Sequence, residues 1–215
     1  MKKIEAVLFD FDGVLADTMN DNFLAWKKAF ANFGVNIKKK EYYLLEGLKV
    51  NDVAKLLSKQ HNAIDLSFFR IVNLKNRYYL ENHSLCFYSE IPEIIKMLKE
   101  QNKLIAIVSA SPKQKLKRIV PKDFLDIFNS VISGDDYSKG KPDPEPYLTA
   151  MRKLKIKPYE CVVVENAPLG IKSAKSAGAY CIAITTTLSK KYLKEADRIV
   201  RNHKELKEIL RVCSF

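Results

Sequence analysis

A short apolar run near the start of the chain ends in two aspartates that are one residue apart. The run ends at residue 9, and Asp10 and Asp12 follow it before Gly13. Such a run is typical of a strand that is buried on both faces of a parallel sheet, and we predict this strand over residues 4–10. Core packing does not call for carboxylates at its exit, because an unpaired buried carboxylate is costly. Ligands of open α/β sheets bind at the carboxyl ends of strands, so Asp10 and Asp12 are predicted to be functional.

After residue 86 the sequence alternates between strand-like and helix-like segments. The predicted strands share continuous apolar runs, and they cover residues 104–108, 129–133, 161–164 and 180–184. The predicted helices share an apolar face or a proline in the first turn, and they cover 91–98, 144–154 and 168–177. This alternation indicates a doubly wound, Rossmann-like parallel sheet with right-handed crossover connections.

Residues 16–85 have a different, helical pattern. Phe23, Trp26, Phe30 and Phe33 recur at spacings of three and four, which indicates an amphipathic helix that ends at Gly34. Few strand-like runs occur in this stretch. We therefore predict an α/β core formed by residues 1–15 and 86–215, with a helical domain of residues 16–85 inserted after the first strand.

The charge and the cysteines limit the classes of function. The net charge of +12 is spread along the chain, which favours a lysine-rich solvated surface over nucleic-acid binding. The cysteines form no CxxC pair and predict reduced thiols in the cytoplasm; they are Cys86, Cys161, Cys181 and Cys213. Lys2 and Lys3 precede only a short apolar run, so neither a signal peptide nor a membrane span is expected.

Polar residues follow several predicted strands and should meet at one edge of the sheet. They are Asp10 and Asp12, Ser109, Lys141 in a loop before a helix, and Glu165 with Asn166. Each has a simpler explanation: a serine can cap a helix, a lysine is usually a surface residue, and Glu-Asn can begin a turn. Their coincidence is better explained by phosphoryl transfer through Mg²⁺, which binds hard oxygen ligands and a substrate phosphate.

These motifs resemble those of the haloacid dehalogenase-like superfamily and, within it, the β-phosphoglucomutase-like phosphatase group. The resemblance covers essentially the whole chain and is carried by residues 10–18, 108–111, 140–144 and 164–171. It implies an α/β core with an inserted helical cap. It also implies that Asp10 is the nucleophile that forms an aspartyl-phosphate, and that Asp12 is the general acid and base.

The resemblance extends to the ligand-binding residues. It implies that Ser109, the Ala110 amide and Lys141 hold the phosphoryl oxygens. It places Mg²⁺ on Asp10, Asp12, Glu165 and Asn166. Asn166 stands where the group usually has an acidic residue, so we expect weaker metal affinity without loss of activity.

The inserted domain departs from the β-phosphoglucomutase pattern at two positions. Asn22 aligns with a histidine and Val50 with an arginine that would clamp a second phosphate. The chain is therefore expected to be a hydrolase rather than a mutase. We expect the loop with Glu46, Gly47 and Lys49, together with Asn22, to contact the leaving group.

Three functions remain as hypotheses. The first is a magnesium-dependent phosphatase of a small phosphorylated metabolite, and the second is a phosphomutase. The third is a catalytically weak protein that binds a phosphorylated ligand, because fold alone does not fix function. Neither nucleic acid nor membrane is an expected partner, and a monomer is expected. The cap should close over the core through hinges near residues 15–17 and 84–89.

Overall fold

The computed structural model describes residues 4–63 and 67–212, and its centre is a six-stranded parallel sheet. The strands are β1 (Ala6–Phe9), β2 (Leu104–Val108), β3 (Ser130–Ile132), β4 (Cys161–Glu165), β5 (Tyr180–Ile184) and β6 (Arg198–Val200). Their order is β3-β2-β1-β4-β5-β6. The predicted doubly wound α/β fold is confirmed. Cys213 and part of the predicted inserted domain, residues 64–66, lie outside the described residues.

Helices connect and cover the strands. Between β1 and β2 lie α1 (Met19–Ala31), α2 (Lys39–Tyr43), α3 (Val50–Gln60), α4 (Phe68–Asn82) and α5 (Ile91–Glu100). Further along the chain lie α6 (Lys113–Ile119), α7 (Lys122–Asp126), α8 (Glu145–Leu154), α9 (Pro168–Ser176) and α10 (His203–Arg211). Among the described residues, no helix combines the length and the apolar character that crossing a membrane requires.

The position of β1 explains why its sequence is apolar on both faces. It pairs with β2 on one side and with β4 on the other, and its side chains are buried. Phe9 is in register with Ile107 and with Val164, so the three strands end at nearly the same level. The residues that follow β1, β2 and β4 therefore share one edge of the sheet.

Helices α1 to α4 pack mainly on one another. Trp26 and Phe30 of α1 are buried, with ring centroids 6.0 Å apart, and Leu57 and Ile71 complete the contact from α3 and α4. The aromatic stripe of α1 is thus core packing.

Two connections join these helices to the sheet, and they run side by side. The Asp17 amide donates to the Cys86 carbonyl at 2.8 Å, and the Tyr88 amide donates to the Leu15 carbonyl at 3.2 Å. These segments coincide with the predicted hinges. Paired main-chain segments of this kind fix where the chain leaves and re-enters the core.

Candidate active site

The side chain of Lys141 lies between the carboxylates that follow β1 and β4. Its Nζ is 2.6 Å from Oδ1 of Asp10 and 2.6 Å from Oε1 of Glu165, and it donates to the Val108 carbonyl at 3.3 Å. All three side chains are buried. A lysine is rarely buried unless it is paired, and here two carboxylates pair with it. The geometry thus joins three of the residues that the sequence singled out.

Charge and burial shift the pKa values in this cluster. Burial acts to lower the pKa of Lys141, but the Asp10 and Glu165 carboxylates outweigh it and leave that pKa well above its usual range. Burial raises the pKa of Asp10, and Glu165 and Asp12 raise it further, while the Lys141 ammonium opposes them. Lys141 is therefore a fixed cation. Two carboxylates share it, so the cluster retains capacity for further positive charge.

Glu165 uses both of its oxygens in contacts with the protein. Oε1 also accepts the hydroxyl of Tyr147 at 2.6 Å, and Oε2 accepts the amides of Asn166 and Ala167 at 3.0 and 3.3 Å. These contacts orient the carboxylate toward Lys141. Glu165 is expected from the resemblance to hold Mg²⁺, and its Oε1 accepts the Lys141 ammonium; the metal role of Glu165 stays a prediction.

Asn166 carries an oxygen that has no partner. Its Nδ2 donates to Oγ1 of Thr187 at 2.7 Å, whereas its Oδ1 is buried without a hydrogen bond. Leaving a buried acceptor unsatisfied is costly, which favours a ligand at this atom. In the described part of the chain, no three His, Cys, Asp or Glu side chains cluster as a metal site. Any metal here would need amide or main-chain oxygens as ligands, and those are ligands that Mg²⁺ accepts.

Asp12 is held in one orientation by the start of α1. Oδ1 accepts a short hydrogen bond from the Thr18 hydroxyl and a second from Nδ2 of Asn22 at 3.1 Å. Asn22 also donates to the Thr18 carbonyl at 3.1 Å, which fixes its amide. Asn22, expected to contact the leaving group, thus contacts the second aspartate and lines the cavity beside it.

Ser109 and Ala110 follow β2 and face the same region. Oγ of Ser109 accepts the Ser111 amide at 3.1 Å, and the Ser109 carbonyl accepts the Tyr137 hydroxyl at 3.2 Å. Ala110 lines the cavity with Asp12. The loop after β2 is therefore ordered by one hydrogen bond of its own and one from Tyr137, at the edge where Asp10 lies.

The loop between α2 and α3 reaches this edge from the helical side. Glu46 lines the cavity and accepts a short hydrogen bond from the Tyr42 hydroxyl. A Cβ atom at Gly47 would lie 3.1 Å from Cδ of Lys141, so the backbone packs on that side chain. Lys49 instead donates to the Tyr137 carbonyl at 2.7 Å and bridges the two parts of the molecule.

Comparisons with known proteins show which family the chain belongs to. The family model of haloacid dehalogenase-like hydrolases matches residues 7–184. The chain belongs to this family. A β-phosphoglucomutase of Bacillus subtilis (strain 168) is 29% identical over 191 residues, 84% of this chain and 83% of that protein. A phosphoglycolate phosphatase of Aquifex aeolicus (strain VF5) is 30% identical over 182 residues, 81% of this chain and 82% of that protein.

Solved structures of related proteins are also similar to this chain. The β-phosphoglucomutase of Clostridium difficile has a TM-score of 0.82 at 25% identity, and the match covers 96% of this chain and 97% of that one. The predicted family, the β-phosphoglucomutase-like group and the enzyme class, a phosphoric monoester hydrolase of the haloacid dehalogenase-like type, are confirmed. The individual site residues and the limits of the inserted domain stay predictions.

Several residues at the site of this haloacid dehalogenase-like enzyme were not singled out from the sequence. Lys75 of α4 and Lys115 of α6 line the cavity, and Tyr147 of α8 contacts Glu165. Lys75 had a detectable signal, because Ile71, Val72 and Tyr79 place it on the apolar face of its helix. Lys115 and Tyr147 had none, since only the packing of distant segments brings them to Asp12 and Glu165.

Proposed function

We propose that the chain is a magnesium-dependent phosphatase that hydrolyses a small phosphorylated metabolite through an aspartyl-phosphate on Asp10. The observation that carries this proposal is the Lys141 ammonium, held 2.6 Å from both Asp10 and Glu165 at the carboxyl edge of the sheet. A fixed cation beside a buried carboxylate can stabilise the charge on a phosphoryl group that Asp10 attacks.

The first step transfers the phosphoryl group to the protein. A carboxylate oxygen of Asp10 forms a bond to phosphorus while the bond from phosphorus to the alcohol oxygen breaks. Asp12 gives its proton to the departing oxygen. Thr18 and Asn22 contact Oδ1 of Asp12. These contacts leave Oδ2 to carry that proton toward the ester.

The second step returns Asp10 to its starting state. Asp12, now ionised, takes a proton from a water molecule, and the water oxygen forms a bond to phosphorus. The bond between phosphorus and Asp10 breaks and inorganic phosphate leaves. Ser109, the Ala110 amide and Lys141 are proposed to hold the non-reacting phosphoryl oxygens through both steps.

The residues present fit a Mg²⁺ ion. We propose that Asp10, the main-chain oxygen of Asp12, Glu165 and Oδ1 of Asn166 would hold it, with Glu165 also the partner of Lys141. When bound, the ion would neutralise charge on the phosphoryl oxygens. The unpartnered buried Oδ1 of Asn166 supports this arrangement.

We further propose that residues 16–85 form the cap, which excludes bulk water when it closes on the core. The paired connections at residues 15–17 and 84–89 support hinges there. The cysteine pattern supports a cytoplasmic place of action. We also propose that the enzyme acts as a monomer.

A phosphomutase is the second candidate, favoured by the similarity to β-phosphoglucomutases. Asn22 argues against it, because an amide that is fixed on Asp12 cannot shuttle a proton to a sugar hydroxyl. A mutase must also keep water from the phosphorylated Asp10.

The test is a screen of phosphate esters with Mg²⁺, in which released phosphate and isomerised ester are both measured. We expect phosphate release that disappears in Asp10→Asn and on addition of EDTA. Isomerisation faster than release would favour the mutase. Turnover that survives in Asp10→Asn would overturn the proposed mechanism.

A further inference from the structure

The main-chain carbonyls of Gly13 and Val14, directly after Asp12, both accept hydrogen bonds from distant parts of the core. The Thr186 hydroxyl, in the loop after β5, donates to the Gly13 carbonyl at 2.6 Å. Nε2 of His203, the first residue of α10, lies 2.8 Å from the Val14 carbonyl. A carbonyl only accepts hydrogen bonds, so this ring nitrogen carries a hydrogen and donates it. Two elements at one side of the sheet therefore hold the segment beside Asp12.

His203 occupies a position where packing alone does not call for a histidine. It is 4% exposed, and its ring stacks on the ring of Tyr88, with the centroids 4.2 Å apart. The other buried side chains of α10 are leucines, Leu206 and Leu210. A buried polar group is costly unless it is hydrogen-bonded, and the Val14 carbonyl satisfies Nε2. This hydrogen bond therefore accounts for a histidine among leucines.

The segment that these residues hold has little freedom to take another path. Gly13 has a φ of +83°, and a Cβ atom there would lie 2.1 Å from Nδ2 of Asn166. The Asp12 side chain is oriented from the other direction, because Thr18 and Asn22 donate to its Oδ1. A shift of Gly13 would move its neighbour Asp12 relative to these donors and to the substrate.

Such a shift matters for the chemistry that is proposed for Asp12. A group that transfers a proton must lie within hydrogen-bonding distance of the atom that receives it. A displacement of about 1 Å from a productive geometry can lower a rate by roughly 100-fold. The hydrogen bonds from His203 and Thr186 act on the main chain next to this group.

We propose that His203 and Thr186 are positioning residues for the reaction: they fix the segment after Asp12 so that its carboxyl group meets the departing oxygen of the ester. They act through the Gly13 and Val14 carbonyls. This inference rests on the proposed phosphatase function, because it assigns the residues that position the proton donor of that reaction. Their loss should cost most where the departing oxygen needs a proton.

The test compares two aromatic esters of similar size, benzyl phosphate and 4-nitrophenyl phosphate. Benzyl alcohol needs a proton to leave, whereas 4-nitrophenol leaves readily as its anion. In His203→Leu we expect kcat/KM to fall by about tenfold or more for benzyl phosphate and by less than about threefold for 4-nitrophenyl phosphate. His203→Gln, which keeps an N–H donor near the place of Nε2, should recover most of the loss. Thr186→Val should show the same selective loss.

Leu210→Ala is the control for packing, because it removes a buried side chain of the same helix that touches neither carbonyl. It should lower the temperature of thermal unfolding and change kcat/KM for both esters by the same factor. An equal loss on both esters in His203→Leu, or a His203→Gln variant no better than His203→Leu, would overturn the proposal.

Hydrogen exchange separates this inference from the proposed function, because it needs no turnover. The amides of residues 13–16 donate to carbonyls within their own loop, so they report its order. His203→Leu and Thr186→Val should speed their exchange, and Leu210→Ala should not. Asp12→Asn should show the selective loss on benzyl phosphate; if it does not while exchange is faster in His203→Leu, the proposed role of Asp12 fails and the positioning of its segment stands. Unchanged exchange in both His203→Leu and Thr186→Val would overturn the inference even if Asp12→Asn behaves as expected.

Discussion

Lys141 is the residue on which the electrostatics of the site depend most. Its ammonium is buried between Asp10 and Glu165, and removing it would leave two buried carboxylates with no cation beside them. Breaking a buried ion pair by deleting one partner is strongly destabilising. Lys141 therefore supports both the local fold and the proposed chemistry. Substitutions at nearby residues separate the two, because they change metal binding or titration and leave this ammonium in place.

Asn166→Asp tests the proposed metal ligand at the end of β4. The substitution adds a negative charge where a buried oxygen lacks a partner, so we expect tighter Mg²⁺ binding by roughly tenfold, about 1.4 kcal/mol. Titration calorimetry with Mg²⁺, and the Mg²⁺ dependence of phosphate release, measure this. Thr187→Val, which removes only the partner of Nδ2, is the matched control. An unchanged Mg²⁺ requirement in Asn166→Asp would contradict the assignment.

The titration of Glu46 should make the free energy of unfolding depend on pH. Burial, together with the charge of Asp12, raises the pKa of Glu46 from 4.5 to about 7. The folded state thus binds this proton more tightly than the unfolded state, so the wild type loses stability as pH rises from about 4.5 through about 7. Glu46→Gln does not titrate.

We therefore expect the free energy of unfolding of Glu46→Gln, relative to that of the wild type, to increase by about 1–3 kcal/mol from pH 5 to pH 8. Urea denaturation at both pH values, without Mg²⁺, measures the difference. A difference that is the same at the two pH values would show that Glu46 does not titrate in this range.

At the scale of elements, the turn from β4 into α9 determines how Glu165 is placed. Pro168 starts α9 after a two-residue turn, and Gly170 in the first turn of this helix lies against the glutamate. A Cβ atom at residue 170 would lie 1.9 Å from Oε1 of Glu165. Only glycine leaves room for the carboxylate between the helix and Lys141.

Gly170→Ala should therefore displace the Glu165 carboxylate and weaken its contact with the Lys141 ammonium. We expect kcat to fall by at least about tenfold. Gly34→Ala is the control: residue 34 lies in a loop, no atom is within 4 Å of its Cβ position, and its φ of +73° gives backbone strain alone. Steady-state kinetics and thermal unfolding of both variants check this. Normal turnover in Gly170→Ala would show that the carboxylate position is unimportant.

The elements differ in how well the sequence predicts them. β2 and β5 have the predicted bounds, because five consecutive apolar residues buried on both faces leave a clear pattern. The strand at one edge of the sheet, β6, was not predicted: it has three residues, and Arg198 at its start is exposed. Helix α10 after it is amphipathic, but its buried face includes His203, which is not a typical core residue.

The residues of the candidate site also differ in how well the sequence predicts them. Asp10 and Glu165 could be named because each ends an apolar run at the same edge of the sheet, and Lys141 because it lies in a loop before a predicted helix. The contact between Tyr147 and Glu165, and the approach of Lys115 to Asp12, depend on the packing of separate helices. Tertiary contacts of that kind leave no periodicity in a single sequence.

At the scale of the whole molecule, Lys49 connects the helical part to the core. The Lys49 ammonium donates to the Tyr137 carbonyl at 2.7 Å and lies 4.9 Å from the centroid of the Tyr137 ring. The Tyr137 hydroxyl in turn donates to the Ser109 carbonyl. A cap contact is thus linked to the loop that is proposed to hold the phosphoryl group.

Lys49→Met keeps the aliphatic packing and removes the hydrogen bond. We expect a less populated closed state and a kcat/KM lower by roughly fivefold, which corresponds to about 1 kcal/mol. Lys59→Met, at an exposed position of α3, is the matched control. Steady-state kinetics on several esters, with small-angle scattering to follow closure, check this; unchanged kinetics and scattering would exclude the bridge as a determinant of closure.

Trapping the phosphorylated enzyme tests the proposed aspartyl-phosphate most directly. Acid quenching of the wild type during turnover of a good ester with Mg²⁺, followed by peptide mass spectrometry, should show one added phosphoryl group on the peptide that contains Asp10. Borohydride, which reduces acyl phosphates, should reduce the phosphorylated Asp10. Asp10→Asn should show neither the added phosphoryl group nor the reduction. A wild type that turns over rapidly with no phosphorylated Asp10 at any quench time, or with the phosphoryl group on another residue, would exclude Asp10 as the nucleophile.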